Sequence, residues 1–460
     1  MNLFLQSDPR PLHFVGIGGA GMSALALLAL RRGLAVTGSD SDVSGCGDLT
    51  AAGATIVAGA APALAGGARA VVVSAAIPPG HPDLERANAA RVPIVARKDA
   101  LAGLIGSARC VAIAGTHGKT TTTVMVTDAL TAAGFEPTGL AGGRVSLWGG
   151  NAKLASDRLY VVEADEYDRA FLTLRPEVAV VNNVEADHLE CYGSLDALED
   201  AFRRFAAPAR RVLVGSEGPG AGRVAAGVPP ERLWRFGPAG EGSPEIALSG
   251  IALEPGRSRA AVRLPGGPAI ALELGVPGLH NLRNAAGALG VVHALGGSAD
   301  RAAAALAAFR GVGRRFERLG ETAGVEVVDD YAHHPTELRA TLDAARQAFP
   351  QRRLVAAFQP HLFSRTALHG DAMGRALAAA DLAVVADVYP AREAPLAGVT
   401  GEVVARAARQ LGAAVVFHPD RATLAERVAA LLRPGDVLLT LGAGDITRLG
   451  PEVRKLLEGR

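Results

Sequence analysis

Residues 110–123 read Cys-Val-Ala-Ile-Ala-Gly-Thr-His-Gly-Lys-Thr-Thr-Thr-Thr. The apolar run Cys110 to Ala114 predicts a buried strand. It ends in a glycine turn, Gly115-Thr116-His117-Gly118, which opens into Lys119 and the threonines Thr120 to Thr123. A strand that turns on glycine into a helix N-terminus presents backbone N–H groups to a polyphosphate. Lys119 can then reach the terminal phosphates, and a threonine hydroxyl can ligand Mg²⁺. The spacing is a variant, because Ile113 stands where the usual phosphate loop has its first glycine and Gly115 gives a shorter Gly-x-x-Gly-Lys-Thr. An ordinary strand–turn–helix, with glycine needed only for the turn, is the competing reading of this stretch alone.

Working outward, 460 residues exceed what one core usually supports, so more than one domain is expected. A formal net charge of +1 leaves no broad basic field for nucleic acid or an anionic membrane. The cysteines Cys46, Cys110 and Cys191 are too widely spaced for a metal or disulfide pattern, which fits a reducing cytoplasm. The stretch Met1 to Arg10 lacks a basic start followed by an apolar run, so no targeting segment is expected. The run Met22 to Leu30 is too short to span a bilayer.

Upstream, the short apolar strand Leu12 to Val15 leads into Gly16-Ile17-Gly18-Gly19-Ala20-Gly21, with a helix after it. A second strand, Ala35 to Thr37, ends at Gly38-Ser39-Asp40, and a later one, Ala70 to Val73, ends at Ser74. This alternation predicts a parallel, doubly wound sheet. The pattern Gly16, Gly18, Gly21 with Asp40 about 20 residues on is the spacing of a dinucleotide turn. Backbone N–H groups do not report what a diphosphate is attached to. NAD(P), another nucleotide diphosphate and a tight turn without ligand all stay open here.

Downstream, strands are expected at Leu159–Val162 and Val178–Val181, and residues 211–275 read as a small antiparallel part. Glu163-Ala164-Asp165-Glu166-Tyr167-Asp168 packs four carboxylates behind the first of these strands. Such a cluster repels itself unless cations or solvent relieve it, and beside a phosphate loop Mg²⁺ is the economical partner. Asn182 to His188 follows the second strand, with His188 a ligand or an ordinary loop histidine. In His280-Asn281-Leu282-Arg283-Asn284 the amides suit an adenine edge or a helix cap. Further strands are expected at Val325–Val328, Leu354–Phe358, Leu382–Ala386, Ala414–Phe417 and Val437–Leu441. Three polar segments punctuate this last block: Gly313-Arg314-Arg315-Phe316-Glu317, Asp329 to Glu337 with His333-His334, and Phe358 to Thr366. An arginine in the first suits a phosphoryl group in transit. His361 and Arg365 suit a carboxylate.

In this joint order the segments resemble the Mur ligase superfamily, ATP-dependent amide-forming enzymes of peptidoglycan synthesis. The resemblance runs from residue 13 to about residue 445. It implies three α/β domains: a Rossmann-like UDP-sugar-binding domain over residues 1–107, a central mononucleotide-type ATP-binding domain over 108–312, and a Rossmann-like amino-acid-binding domain over 313–460. It assigns Gly16, Gly18, Gly19, Gly21, Ser39, Asp40 and Ser74 to the UDP-sugar. Gly115, Thr116, His117, Gly118, Lys119, Thr120, Thr121, Asn281, Asn284, Arg315 and Asp330 fall to ATP. Thr120, Glu163 and His188 fall to Mg²⁺. Tyr331, His334, His361 and Arg365 fall to the amino acid, with Lys119, Arg315 and His334 as catalytic candidates. The likeness is nearest to the alanine-adding branch, which implies UDP-N-acetylmuramic acid and L-alanine as partners of a cytoplasmic monomer or homodimer. The alternative branch attaches a recycled peptide to the same sugar.

Two departures accompany the resemblance. Several sister ligases carry a carbamylated lysine about 15 residues past the His188 position, where this chain has Arg203 and no nearby lysine. The alanine-adding branch also lacks that lysine. Leu362-Phe363 stands where a basic residue is common after the histidine.

Overall fold

The structure, a computed structural model, describes residues 8–240, 242–391 and 393–459. Most of the N-terminal stretch inspected for a targeting signal lies outside them. The chain divides into two compact units. One comprises the residues up to Ser249 together with Ala261–Ala271 and Arg283–Leu306; the other comprises Gly250–Ala260, Leu272–Leu282 and the residues from Ala307 onward.

The first unit contains a five-stranded parallel sheet. Its order is Thr55–Ala58, Val36–Asp40, Leu12–Val15, Ala70–Val73, Ile94–Ala96, with Leu12–Val15 central. In register, Val15 lies beside both Ser39 and Val73, so the ends of three strands deliver Gly16, Asp40 and Ser74 to one edge. Helix Ala20–Arg31 follows the glycine turn, and its Met22 to Ala26 stretch is wholly buried.

The same unit contains most of a ten-stranded sheet, eight neighbouring strands of which run in the order Ile246–Glu254, Leu233–Pro238, Arg211–Gly215, Val178–Val181, Arg109–Ala114, Leu159–Glu163, Thr138–Val145, Gly150–Lys153. Arg109–Ala114 lies in the interior of this sheet, and its exit is flanked by Val181 and Glu163. The expected antiparallel part over residues 211–275 is corrected for its first half: Arg211–Gly215, Leu233–Pro238 and Ile246–Leu248 pair in parallel. The helix Pro219–Ala226 between the first two supplies the crossover that parallel pairing requires. One hydrophobic cluster runs from Leu12 and Phe14 through Cys110 and Tyr160 to Phe202 and Val212, so both sheets share a core. Asn151 also donates to the Ala20 carbonyl at 2.6 Å and to Ser23 Oγ at 2.9 Å. The first expected domain and most of the second therefore fall within one compact unit, while Gly250–Ala260, Leu272–Leu282 and the stretch from Ala307 to residue 312 belong to the other.

The second unit is built on a six-stranded sheet ordered Glu317–Thr322, Val325–Asp330, Val437–Leu441, Leu354–Phe358, Leu382–Val385, Val415–Phe417. Only the first pair is antiparallel. Its central strands are apolar on both faces because helices cover both. Val328, Leu354 and Leu439 pack to one side, and Val327, Val355 and Leu438 to the other.

Candidate functional site

The glycine turn after Arg109–Ala114 owes its shape to what presses against it. Gly118 adopts a left-handed conformation (φ 78°) as N-cap of helix Lys119–Ala132. A Cβ at Gly118 would stand 2.9 Å from Asn284 Oδ1 and 3.0 Å from Asn182 Nδ2. A Cβ at Gly115 (φ 135°) would stand 3.0 Å from the backbone nitrogen of Asn182. Both glycines are thus required twice, by dihedral and by crowding. The segment Asn182–Glu185 binds the turn throughout. Asn182 Nδ2 donates to the His117 carbonyl (3.1 Å), His117 N donates to Asn183 Oδ1 (2.8 Å), and Glu185 N donates to Thr116 Oγ1 (2.9 Å). Thr120 to Thr123 are buried, although threonine is a mediocre helix former. Packing beneath the loop, rather than propensity, holds this first turn.

Lys119 curls back over its own loop. Its Nζ donates to the carbonyls of Gly115 (2.7 Å) and Thr116 (3.2 Å) and pairs with Glu166 at 2.9 Å. Burial opposes its charge, but Glu166, Asp165 and Glu163 outweigh it and hold the ammonium above the usual lysine range. Three carboxylates of the acidic segment therefore act on one cation. Glu166 is only 2 % exposed, and its backbone carbonyl accepts from Tyr192 Oη at 2.5 Å. Glu163 ends its strand with Oε2 accepting from Gly142 N at 2.7 Å, where any side chain would collide with the carboxylate. His188 is left-handed (φ 53°), caps the short helix Leu189–Tyr192, and lies edge-on to Tyr167. Its charge bears on Glu166, which brings His188 into the same electrostatic neighbourhood. Arg203 pairs with Asp200 at 3.4 Å on the helix Leu195–Ala206.

At the other glycine turn, Gly16 is left-handed (φ 80°). Asp40 closes the turn: its Oδ2 accepts from Gly18 N at 2.8 Å and its Oδ1 from Asp42 N at 3.1 Å. That carboxylate is committed to the backbone, which weakens the dinucleotide reading in which it would hold a ribose. Ser39 Oγ donates to Asp83 at 2.6 Å, below the turn, and Ser74 Oγ accepts from Ala76 N. A cleft of about 310 Å³ is lined by Gly19, Gly21, Ser74, Arg97, Glu163 and Asp165 among others, and so runs from the glycine turn to the acidic segment.

In the second unit, Arg314 and Phe316 are both left-handed (φ 58° and 52°) on either side of Arg315. Such strain persists only where the surroundings impose it. Phe316 N and Ala332 N donate to the two oxygens of Asp330 at 2.7 and 2.8 Å. Burial pushes the Asp330 carboxyl up to about 6, against the charge of Arg315 and those two donors. Arg314 and Arg315 lie over the Tyr331 ring at 4.8 and 4.9 Å, and Arg315 stands 3.8 Å from Glu337. His334 serves as N-cap of helix Pro335–Ala348 in a reciprocal box with Glu337, so its Nδ1 accepts from Thr336 N. That occupies one ring nitrogen of the catalytic candidate. His361 stacks on Tyr389 with 5.7 Å between centroids, and its Nδ1 lies 3.3 Å from the guanidinium of the buried Arg365. Asn281 Nδ2 donates to the Pro277 carbonyl at 2.7 Å at the start of helix Leu279–Ala294.

Sequence reasoning missed Asn182, Glu166, Gly142 and Tyr389 as site components. The first two lay inside segments already singled out. Gly142 and Tyr389 carried no local signal.

Among the described residues, no helix is long and apolar enough to cross a membrane. Family models match three stretches of the chain: "Mur ligase family, catalytic domain" at residues 11–109, "Mur ligase middle domain" at 113–292, and "Mur ligase, glutamate ligase domain" at 314–444. A protein of Streptomyces avermitilis named UDP-N-acetylmuramate–L-alanine ligase is 43% identical over 454 residues, covering 96% of each chain. One of the same name from Salinibacter ruber is 42% identical and covers 98% of this chain and 95% of its own. Among solved structures, UDP-N-acetylmuramate-alanine ligase from Thermotoga maritima matches with a TM-score of 0.83 at 28% identity, covering 98% of this chain and 99% of its own. A murein peptide ligase from Psychrobacter arcticus matches with a TM-score of 0.75 at 25% identity over the same shares.

Proposed function

The chain belongs to the Mur ligase family, and from that premise we propose how its residues join L-alanine to the lactyl carboxylate of UDP-N-acetylmuramic acid at the expense of ATP. The observation that carries this activity is likeness over nearly the whole chain, sugar and amino-acid segments included, to proteins named for that reaction.

A carboxylate at neutral pH is a poor electrophile, being anionic and without a leaving group. Transfer of the γ-phosphoryl group of ATP to the lactyl carboxylate gives an acyl phosphate and ADP. The amine of L-alanine, once deprotonated, attacks the acyl carbon; phosphate leaves and the amide forms. The protein's share is to hold and neutralise. Lys119 is kept charged by its carboxylate neighbours and can exchange Glu166 for a phosphate oxygen. Arg315, strained into place between two left-handed residues, neutralises charge on the transferring group. A hydroxyl and carboxylates beside an acidic segment offer the oxygen donors that suit a hard divalent cation. Thr120, Glu163 and His188 would hold Mg²⁺, which supplies further neutralisation of phosphate charge when bound. The glycine turn at Gly16–Gly21 receives the UDP diphosphate. Asp330 serves the ATP ribose, and Asn281 and Asn284 its adenine. Tyr331, His361 and Arg365 form the alanine end, with Arg365 offering a buried cation to its carboxylate. With Nδ1 accepting the Thr336 N–H, the ring proton of a neutral His334 sits on Nε2, so His334 acts as a proton acceptor only by releasing that cap from Nδ1.

The test is phosphate release from ATP in the presence of UDP-N-acetylmuramic acid and Mg²⁺, with L-alanine or a tripeptide as acceptor. Release with L-alanine, and a product heavier by one alanyl residue, is the expected result. Release with the tripeptide alone would overturn it in favour of the peptide-attaching branch, whose solved structure is also similar.

A further inference from the structure

Arg97 is the first residue of the helix Arg97–Ile105, directly after the strand Ile94–Ala96. A cation is poorly placed there, since the first turn of a helix carries the positive end of its dipole. A local choice that goes against propensity points to an external reason for it. Lys98 stands beside it, and both reach the acidic segment. Arg97 pairs with Asp165 at 3.2 Å through a single N–H, and Lys98 pairs with Asp168 at 2.8 Å.

The two differ in what else they touch. The Arg97 guanidinium lies against the glycine turn: a Cβ at Gly21 would stand 2.8 Å from its Nη1 and 3.4 Å from its Cζ. Glycine at this position therefore makes room for the arginine. Among the described residues, Arg97 is the one cation lining the cleft that runs from Gly19 to Glu163, whose charged lining is otherwise Glu163 and Asp165. It also lines the adjoining 440 Å³ pocket formed by Ile77, Leu84, Asn88 and Tyr167. A nucleotide-sugar diphosphate entering this cleft meets two carboxylates and a glycine turn without any cation of its own. Asp165 occupies only part of a guanidinium that can serve a diphosphate with a second N–H pair.

We infer that Arg97 is a substrate-binding residue that clamps the diphosphate of the UDP-sugar onto the Gly16–Gly21 turn, with Asp165 as the resting partner that orients it. This rests on the assignment of that turn to the UDP-sugar. Lys98, pinned to Asp168, is a tether between the same two regions without contact to the turn.

Titration calorimetry on the intact protein tests the inference with UDP and UDP-N-acetylmuramic acid, for the parent chain, Arg97→Ala, Arg97→Lys and Lys98→Ala. A charged hydrogen-bonding partner lost from a binding site costs about 10- to 100-fold in affinity. That loss is expected in Arg97→Ala for both ligands alike, with partial recovery in Arg97→Lys. Lys98→Ala should remain within about twofold of the parent, since an exposed pair contributes little, and KM for ATP should hold in all variants. Arg97→Ala matching Lys98→Ala would overturn the clamp and leave only a tether. Loss confined to UDP-N-acetylmuramic acid, with UDP unchanged, would overturn the diphosphate as the target. A parent chain that binds neither ligand would instead refute the UDP-sugar assignment itself.

Discussion

The two glycine turns of the first unit look alike in sequence and differ in where their charge comes from. Each follows an interior parallel strand of its sheet and precedes a helix that is buried along most of its length. The turn at Gly115–Gly118 carries its cation in the next residue, Lys119, and is crowded by neutral amides. The turn at Gly16–Gly21 carries none: the neighbouring strand gives it a carboxylate, Asp40, that binds its backbone, and Arg97 comes from a helix some 75 positions further along. Geometry alone suits both to the phosphate roles proposed above. Charge supplied locally or from a distance distinguishes what each can hold and how easily the sequence reveals it.

The sharpest way to break this comparison is Lys119→Ala. If the second turn depends on its own cation, ADP formation should fall by about a thousandfold or more, while UDP-N-acetylmuramic acid still binds. Near-normal turnover would mean that charge from elsewhere serves this turn as well. Gly118→Ala comes next. It forces alanine into a left-handed conformation against Asn284 and Asn182, and should cost about 1–3 kcal/mol together with most ATP-dependent activity. Thermal unfolding and ADP release read the two effects separately. For the first turn, Asp40→Asn keeps the shape of the side chain but removes the charge that receives Gly18 N and Asp42 N. A loss of about tenfold in UDP affinity, with KM for ATP unchanged, is expected from calorimetry and kinetics.

The smallest effect concerns pH. His13, fully buried beneath the first turn, bonds to Thr37 (2.9 Å) and Asp83 (3.3 Å), and burial holds its pKa below the usual histidine value. The folded chain thus refuses a proton that the unfolded chain accepts below about pH 6.5. Stability should be full above that pH and decline as pH falls through it, and Tm measured from pH 8 to pH 5 should slope less in His13→Asn. Lys119 is shifted in the opposite direction and stays charged over this range, so the second turn should add no such slope.

What was legible in the chain follows the same division. The strands Leu12–Val15, Ala70–Val73, Val178–Val181, Leu354–Phe358 and Val437–Leu441 have the expected bounds, because a parallel strand buried on both faces is a short apolar run closed by turn residues. Thr55–Ala58 and Ile94–Ala96 were not legible; they are edge strands, half exposed, with no sustained pattern. Thr138–Val145 was hidden by its glycines, which read as breakers. In the fold Gly139 admits Thr127 and Trp148, and Gly142 admits Glu163. Candidate site residues were legible where a motif holds them in one stretch, as from Gly115 to Thr121. Tyr389 beneath His361 and Arg97 beside Gly21 join their partners only through the fold.

The resting pair of Lys119 and Glu166 also sets a threshold. A ligand arriving at this turn does not meet a bare cation; it must displace a buried carboxylate already seated at 2.9 Å. Its gain is the difference between two ion pairs, not the whole of one. Weakly charged visitors, such as a nucleoside or a monoanion of ordinary metabolism, offer little over the incumbent. A triphosphate, with several negative oxygens to offer at once, is the kind of ligand that wins the exchange. In the role proposed for Lys119, the turn would thereby select by charge before any base or sugar is recognised.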